Sequence, residues 1–330
     1  MLKLLASILI ALNPVVGFFT INSRLAQDAS QKEAPLVIRA PINLQTANNG
    51  QNYKLPLEAD TFLITKYLPI FPVRNWTVSD PTIQATTALV LDSARQEILY
   101  QKNGLHESHP IASLTKLMTA LVAMENADLN SVFKISKEAV QTEGEMGDMV
   151  VGEKLTVKSL LYILLVSSSN DAAVALAENI PFPPNGDTKK IFVDLMNKKA
   201  VSLELKNTSF ADPSGLDPNN YSSAWDISLM LKEALRYPLL QEVMQTKTID
   251  LHSLDGRFNH HLVSTDKLLG VIPEIVGGKT GYTEEAGNCM TVAFRSPDNE
   301  GSIVIVVMNS PDRAAEIKSL FGWTKKAYLW

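Results

Sequence analysis

Cysteine is almost missing from this chain. The 330 residues hold one, Cys289, so neither an intramolecular disulfide nor a cysteine-based metal site is open to them. Histidine is scarce too. There are five, none in an H-E-x-x-H pattern, and His106-Glu107-Ser108-His109 has the wrong spacing for a zinc hydrolase. No metal or organic cofactor is called for. A basic excess is also lacking: 30 Lys and Arg against 35 Asp and Glu leave a formal charge of −5, which argues against the positive footprint of a nucleic-acid-binding protein. Apolar residues, by contrast, are plentiful. At 45% hydrophobic and 20% charged, the chain can build a sizeable core and does not read as disordered. At about 150 residues per domain, the length suits two domains or one large domain with appendages.

One long hydrophobic run stands at the amino end. Met1-Leu2-Lys3 leads into residues 4–21, apolar almost throughout and broken by Asn13-Pro14. A lysine before such a run marks an export signal or a membrane anchor. Small residues at −3 and −1 would mark cleavage, but Arg24 stands at −3 of the candidate site after Ala26. The run is also short for a spanning helix, which takes about 20 residues. A retained anchor with its amino end inside is the favoured reading, and a removed signal peptide is the alternative. Both place the rest of the chain at the extracytoplasmic face of the membrane or in the periplasm. Residues 1–22 are therefore assigned to signal or anchor, and residues 23–80 to a linker. That linker is polar and turn-rich from Gln45 to Asn52 and carries Pro35, Pro41, Pro56, Pro69 and Pro72.

Residues 81–330 form the body. Short strands are expected at 88–91 and 97–100 around the turn Asp92-Ser93-Ala94-Arg95-Gln96. Helices are expected at 113–126, at 157–166, from Asn170 onward, and at 226–237, where Pro238 ends the last of them. Two strong strands, 289–294 and 303–308, flank a turn and form an antiparallel hairpin, and a helix over 313–328 follows. Strands at both ends with helices between them predict an α/β domain. Its antiparallel sheet joins the two ends, with helices on both faces and a helical insertion.

The chemistry concentrates in three places. Ser113-Leu114-Thr115-Lys116 opens a predicted helix, where i and i+3 share a face. A serine needs an adjacent base to become nucleophilic, and a lysine serves once burial lowers its pKa. Leu117, Ala120 and Met124 offer apolar surroundings, and the helix start offers N–H groups to an oxyanion. Read alone, the pattern equally describes an N-cap serine with a solvated lysine one turn on. Ser168-Ser169-Asn170 lies in a polar break between two apolar helices, where the plain alternative is a turn capped by Asn170 or Asp171. Gly277-Gly278-Lys279-Thr280-Gly281 pairs close backbone approach with an ammonium and a hydroxyl suited to a carboxylate, or is a simple strand edge.

In this order the three form the signature of penicillin-recognising serine enzymes. The sequence resembles the low-molecular-mass penicillin-binding proteins, the D-alanyl-D-alanine carboxypeptidases. The resemblance runs over about residues 84–311 and includes Gly152-Glu153-Lys154-Leu155-Thr156-Val157, Asn207-Thr208-Ser209-Phe210, Pro213-Ser214-Gly215-Leu216 and Ala286-Gly287-Asn288-Cys289. It implies the fold shared by penicillin-binding proteins and serine β-lactamases. The implied substrate is a peptidoglycan stem peptide ending in D-Ala-D-Ala, with β-lactams as inhibitors. Carried over by motif, Ser113 attacks, Lys116 takes its proton, Ser168 passes a proton to the leaving amine and Asn170 holds the peptide amide. Lys279, Thr280 and Gly281 bind the terminal carboxylate side, and the N–H groups of Ser113 and Tyr282 form the oxyanion hole.

Some residues depart from the family pattern. Ser169 stands where glycine is usual, and either crowds the cleft or decorates it. Tyr282 replaces a common histidine. His260-His261-Leu262 stands where an asparagine precedes the leucine by two, and the two histidines read as a surface pair. Many relatives carry a second β-rich domain and a carboxyl-terminal anchor, a tethering role that residues 1–22 take over here. The alternatives are a DD-endopeptidase using the same residues, a class A-like β-lactamase, for which Glu204-Leu205-Lys206-Asn207 lacks the required E-x-x-L-N pattern, and an inactive peptidoglycan-binding protein.

Overall fold

The two faces of the sheet are set by alternation along apolar strands. In strand β1 (Thr87–Asp92) every residue is buried. Leu89 and Leu91 join the core on one side, while Ala88 and Val90 join the core on the other. A strand covered on both faces has no polar side to show, so it reads as a continuous hydrophobic run. The computed structural model describes residues 72–144, 148–180 and 187–330, together with the backbone of the strands Ser7–Leu12 and Val15–Thr20. Those two strands pair antiparallel, so the described backbone of the expected signal or anchor is a hairpin rather than a helix. Among the described residues no helix is long and apolar enough to cross a membrane. The chain divides into two units, residues 1–73 and 74–330. Most of the expected linker lies outside the described residues; from Arg74 onward the chain belongs to the second unit, described below.

Its sheet has five antiparallel strands. β1 pairs on one side with β2 (Glu97–Lys102) and on the other with β7 (Ser302–Ser310). β7 pairs with β6 (Gly287–Arg295), which pairs with the edge strand β5 (Ile275–Thr283). The last helix, α7 (Arg313–Ala327), covers one face with Ile317, Leu320 and Phe321 against Val90, Val292 and Ile305. Phe294 and Phe321 stack there at 3.9 Å.

The other face carries the helical insertion. Ser113 sits in a 3-10 turn (Ala112–Thr115) that leads directly into α1 (Lys116–Asn126). α2 (Val157–Val166) is apolar on nearly all sides and almost wholly buried, as a helix surrounded by others must be. α3 (Asn170–Asn179) follows after three serines, then α4 (Thr188–Ser202) and α5 (Ala224–Ala234). Helix α6 (Pro238–Gln245) corrects the sequence reading. Pro238 does not terminate the preceding helix, which ends at Ala234, but opens α6 at its first turn, where a missing N–H costs nothing.

A hairpin of β3 (Thr248–His252) and β4 (Asn259–Val263) packs beside this layer. Here the histidine pair divides. His261 faces solvent beside Asp250, but His260 is 2% exposed and its Nε2 lies 2.9 Å from Glu153 Oε2. Consecutive residues on a strand point to opposite faces, so a shared surface position was not open to them. Glu153, 1% exposed, also accepts from the Val150 N–H at 2.6 Å. Glu153→Ala strips both groups of this partner. It is expected to cost about 3 kcal/mol, read as a lower urea midpoint at unchanged slope.

Candidate active site

Three consecutive serines fill the break between α2 and α3, and each has separate work. Ser167 Oγ donates back to the Ile163 carbonyl at 2.7 Å and closes α2. Ser169 caps α3: its Oγ accepts from the Ala172 N–H at 3.1 Å, and the side chain is fully buried. The cap is therefore Ser169, not Asn170 or Asp171, and its hydroxyl is spent on the helix rather than on the cleft. Ser168 between them takes φ +64°, a left-handed conformation that non-glycine residues adopt at a cost and that clusters at functional sites. The twist sends Ser168 Oγ to Lys279 Nζ, 2.7 Å away. Ser169→Gly should change stability by only a few tenths of a kcal/mol, because glycine is itself an acceptable N-cap. Ser169→Ala should cost about 1 kcal/mol. Thermal midpoints check both.

The first lysine is wholly enclosed. Lys116 is 0% exposed and donates to Ser113 Oγ at 2.8 Å, to Asn170 Oδ1 at 2.6 Å and to the Ser214 carbonyl at 2.6 Å. Burial pulls its pKa down to about 7, against the upward pull of Asp212. Near neutral pH a large share of Lys116 is therefore the free amine, a form chemically able to take a proton from the hydroxyl it touches. Ser113 itself is half-buried, at the surface of the cleft. Asn170 spans the site: its Oδ1 takes Lys116, and its Nδ2 donates to the Glu143 carbonyl at 2.7 Å.

The second lysine lies on β5. Lys279 Nζ donates to Ser168 Oγ and to the Thr280 carbonyl, both at 2.7 Å. Its pKa lies well below the usual lysine range, first through burial and then through the positive charges of Lys116 and Arg313. Thr280 Oγ1 lies 2.6 Å from Thr265 Oγ1. Gly281 lets the strand touch the nucleophile's turn. A β-carbon there would stand 3.0 Å from both the Ile111 carbonyl oxygen and the Ser113 nitrogen. Tyr282 is 61% exposed, so its side chain leaves the strand toward solvent. Hydrogen bonds thus join Ser113, Lys116 and Asn170 on one side and Ser168 and Lys279 on the other, with Gly281 of β5 against the Ser113 turn.

Sequence reasoning passed over two others. Arg313, at the start of α7, donates to the Gly281 carbonyl at 2.6 Å. Asp212 organises the turn behind Lys116. Nothing in a lone arginine marks it, but Asp212-Pro213 is a turn signal that pointed to its place.

A serine held by a buried lysine, a second serine held by a second buried lysine, and an edge strand of an antiparallel sheet define the penicillin-binding class of fold. The solved structure of a penicillin-binding protein homolog from Mycobacterium tuberculosis matches with a TM-score of 0.67 and 30% identity, covering 76% of this chain and 94% of that one. The chain belongs to the D-alanyl-D-alanine carboxypeptidase family, whose model matches residues 74–312. A D-alanyl-D-alanine carboxypeptidase of Bacillus subtilis is 34% identical over 253 residues, which are 74% of this chain and 63% of the relative. The chain thus spans less than two thirds of that relative's length. A D-alanyl-D-alanine endopeptidase of Pseudomonas aeruginosa is 34% identical over 232 residues, 68% of this chain and 71% of that protein.

Proposed function

We propose that the protein is a serine D-Ala-D-Ala carboxypeptidase that trims peptidoglycan stem peptides through an acyl-enzyme on Ser113, and that β-lactams inhibit it by acylating the same atom. The observation that carries this reading is the 2.8 Å contact between Ser113 Oγ and a fully buried Lys116 amine with a pKa of about 7. Ser113 Oγ forms a bond to the carbonyl carbon of the penultimate D-alanine as its proton passes to Lys116. The peptide C–N bond then breaks, and Ser168 hands a proton to the departing D-alanine amine and is resupplied with the proton that Lys116 took from Ser113. Water attacks the ester, and the shortened peptide leaves.

The remaining residues hold and polarise. Ser113 and Tyr282 contribute backbone N–H groups to the oxyanion, each worth about 3 kcal/mol in comparable sites. The close approach of Gly281 to the Ser113 nitrogen supports that pairing. Asn170, its Oδ1 committed to Lys116, offers its second amide hydrogen to the peptide. Thr280 and Lys279 meet the terminal carboxylate beside the Arg313 guanidinium, and Lys279 keeps Ser168 oriented. The amino-terminal apolar run supports action outside the cytoplasmic membrane, tethered or released.

An endopeptidase cutting D-Ala-containing cross-links would use the same atoms, and the identity to the Pseudomonas aeruginosa protein favours keeping that reading. Digestion of purified muropeptides separates the two. The acyl-enzyme is tested by intact mass after incubation with benzylpenicillin. An adduct of one drug molecule, absent in Ser113→Ala, is expected. Unmodified protein with intact drug would overturn the proposal, and hydrolysed drug without an adduct would mark a β-lactamase.

A further inference from the structure

Residues 212–217 lie immediately behind the nucleophile and the base, and one side chain shapes them. Asp212 Oδ1 accepts from the Ser214 N–H at 2.5 Å, from Ser214 Oγ at 2.8 Å and from the Gly215 N–H at 2.7 Å. Its Oδ2 accepts from the Asp217 N–H and from Asn220 Nδ2. Five donors on one carboxylate fix the direction of the whole turn, and the turn has two outputs. The Ser214 carbonyl points at Lys116 Nζ, 2.6 Å away, while Gly215 lies against the Ala112 carbonyl that precedes Ser113. Thr119, on α1, closes the other side by donating to the Pro213 carbonyl at 2.5 Å.

We propose that Asp212 is the positioning residue of the reaction: it builds the seat of the Lys116 base and supplies the negative charge that keeps this buried amine able to bind a proton. The inference rests on the reading of Lys116 as base. Asp212 makes no hydrogen bond to Ser113; it acts through the Ser214 carbonyl and through its field. Two charged groups interact with Lys116. Asp212 from the turn raises its proton affinity against the burial that lowers it, and Lys279 on β5 is in turn lowered by the charge of Lys116. A base must accept a proton from Ser113 and later return it, so an amine with no nearby anion would stay neutral and accept poorly.

Asp212→Asn removes the charge while keeping one acceptor oxygen for the Ser214 and Gly215 donors, and its amide nitrogen then faces the Asp217 N–H and Asn220 Nδ2, so it weakens the turn less than Asp212→Ala does. The test is an NMR titration of full-length protein carrying carbon-13 at the lysine ε position, with the Lys116 signal assigned by its absence in Lys116→Met. The wild-type midpoint is expected near pH 7. In Asp212→Asn it should fall by about 1 pH unit or more, and the acidic limb of the benzylpenicillin acylation profile should fall with it. Asp212→Ala also loses the turn, so acylation should drop at every pH, by about 100-fold, the effect of a 1 Å misplacement. A Lys116 signal that titrates identically in wild type and Asp212→Asn would overturn the proposal. If Lys116 shifts as expected but the wild type never acylates, the enzymatic reading fails and the placement of Asp212 stands.

Discussion

Lys116→Met is expected to slow acylation of Ser113 by benzylpenicillin at least ~10³-fold while leaving the chain folded. Methionine matches lysine in reach and is at home in the apolar pocket, so the substitution removes the amine without opening a large void. The same change has a stability signature whose sign follows from burial. The folded-state pKa of Lys116 is about 7, below the 10.5 of the exposed side chain. Below pH 7 the amine is charged in both states, and the folded protein bears the full cost of burying that charge. Between about pH 7 and 10.5 the unfolded chain holds a proton that the folded one has shed, so native stability climbs as pH rises. Lys116→Met has no such group. Its stability advantage over wild type should be largest below pH 7 and shrink toward pH 10.5, read from urea midpoints across that range. Acylation by the wild type should rise with pH through about 7 to a plateau. A flat profile, or a Lys116→Met protein that acylates at the wild-type rate, would remove Lys116 from its assigned role.

Gly215→Ala should be nearly as damaging, through geometry alone. The residue sits at φ +90°, outside the region that side chains tolerate. An added β-carbon would stand 2.0 Å from the Ala112 carbonyl oxygen, 2.4 Å from its carbon and 3.0 Å from the Ser113 nitrogen. These are backbone atoms, so relief requires moving the nucleophile's own turn. Ala112 is already held left-handed at φ +48° and has little slack to give. A displacement of about 1 Å costs roughly 100-fold in rate, and acylation should fall by at least that, with a lower thermal midpoint. A near-normal acylation rate would mean that the turn at 212–217 does not press on Ser113.

Why some of this was readable from the amino-acid order, and some not, follows from range. Ser113 and Lys116 are one helical turn apart, so their contact is a local consequence of backbone geometry. The inner strands of the sheet were legible because burial on both faces leaves an apolar run, as in residues 303–308, while the glycine-rich edge strand β5 could equally be read as a turn. Helix α4 escaped notice: its buried face is only Phe192, Met196 and Ala200, one apolar residue per turn in a polar segment. Pro238 misled because proline both stops and starts helices, and only the neighbouring chain path tells which. His260 against Glu153 and Arg313 against Gly281 link residues far apart in the chain, and no periodicity announces such pairs. Ser169 was ambiguous for another reason. A serine between helices can face a ligand or cap the next turn, and the hydroxyl's target settles which.

The order of strands in the sheet has a consequence for how the domain comes into being. β1, near the start of the body, has as one of its hydrogen-bonded neighbours β7, near its end, with Thr87 opposite Met308. While the polypeptide is being made, β1 waits without that partner until residues 302–310 have emerged. Such distant pairings give the topology a high contact order and a correspondingly slow, all-at-once closure. A chain that stops short of residue 302 therefore holds Ser113 and Lys116 but lacks the strand that joins β1 to β6.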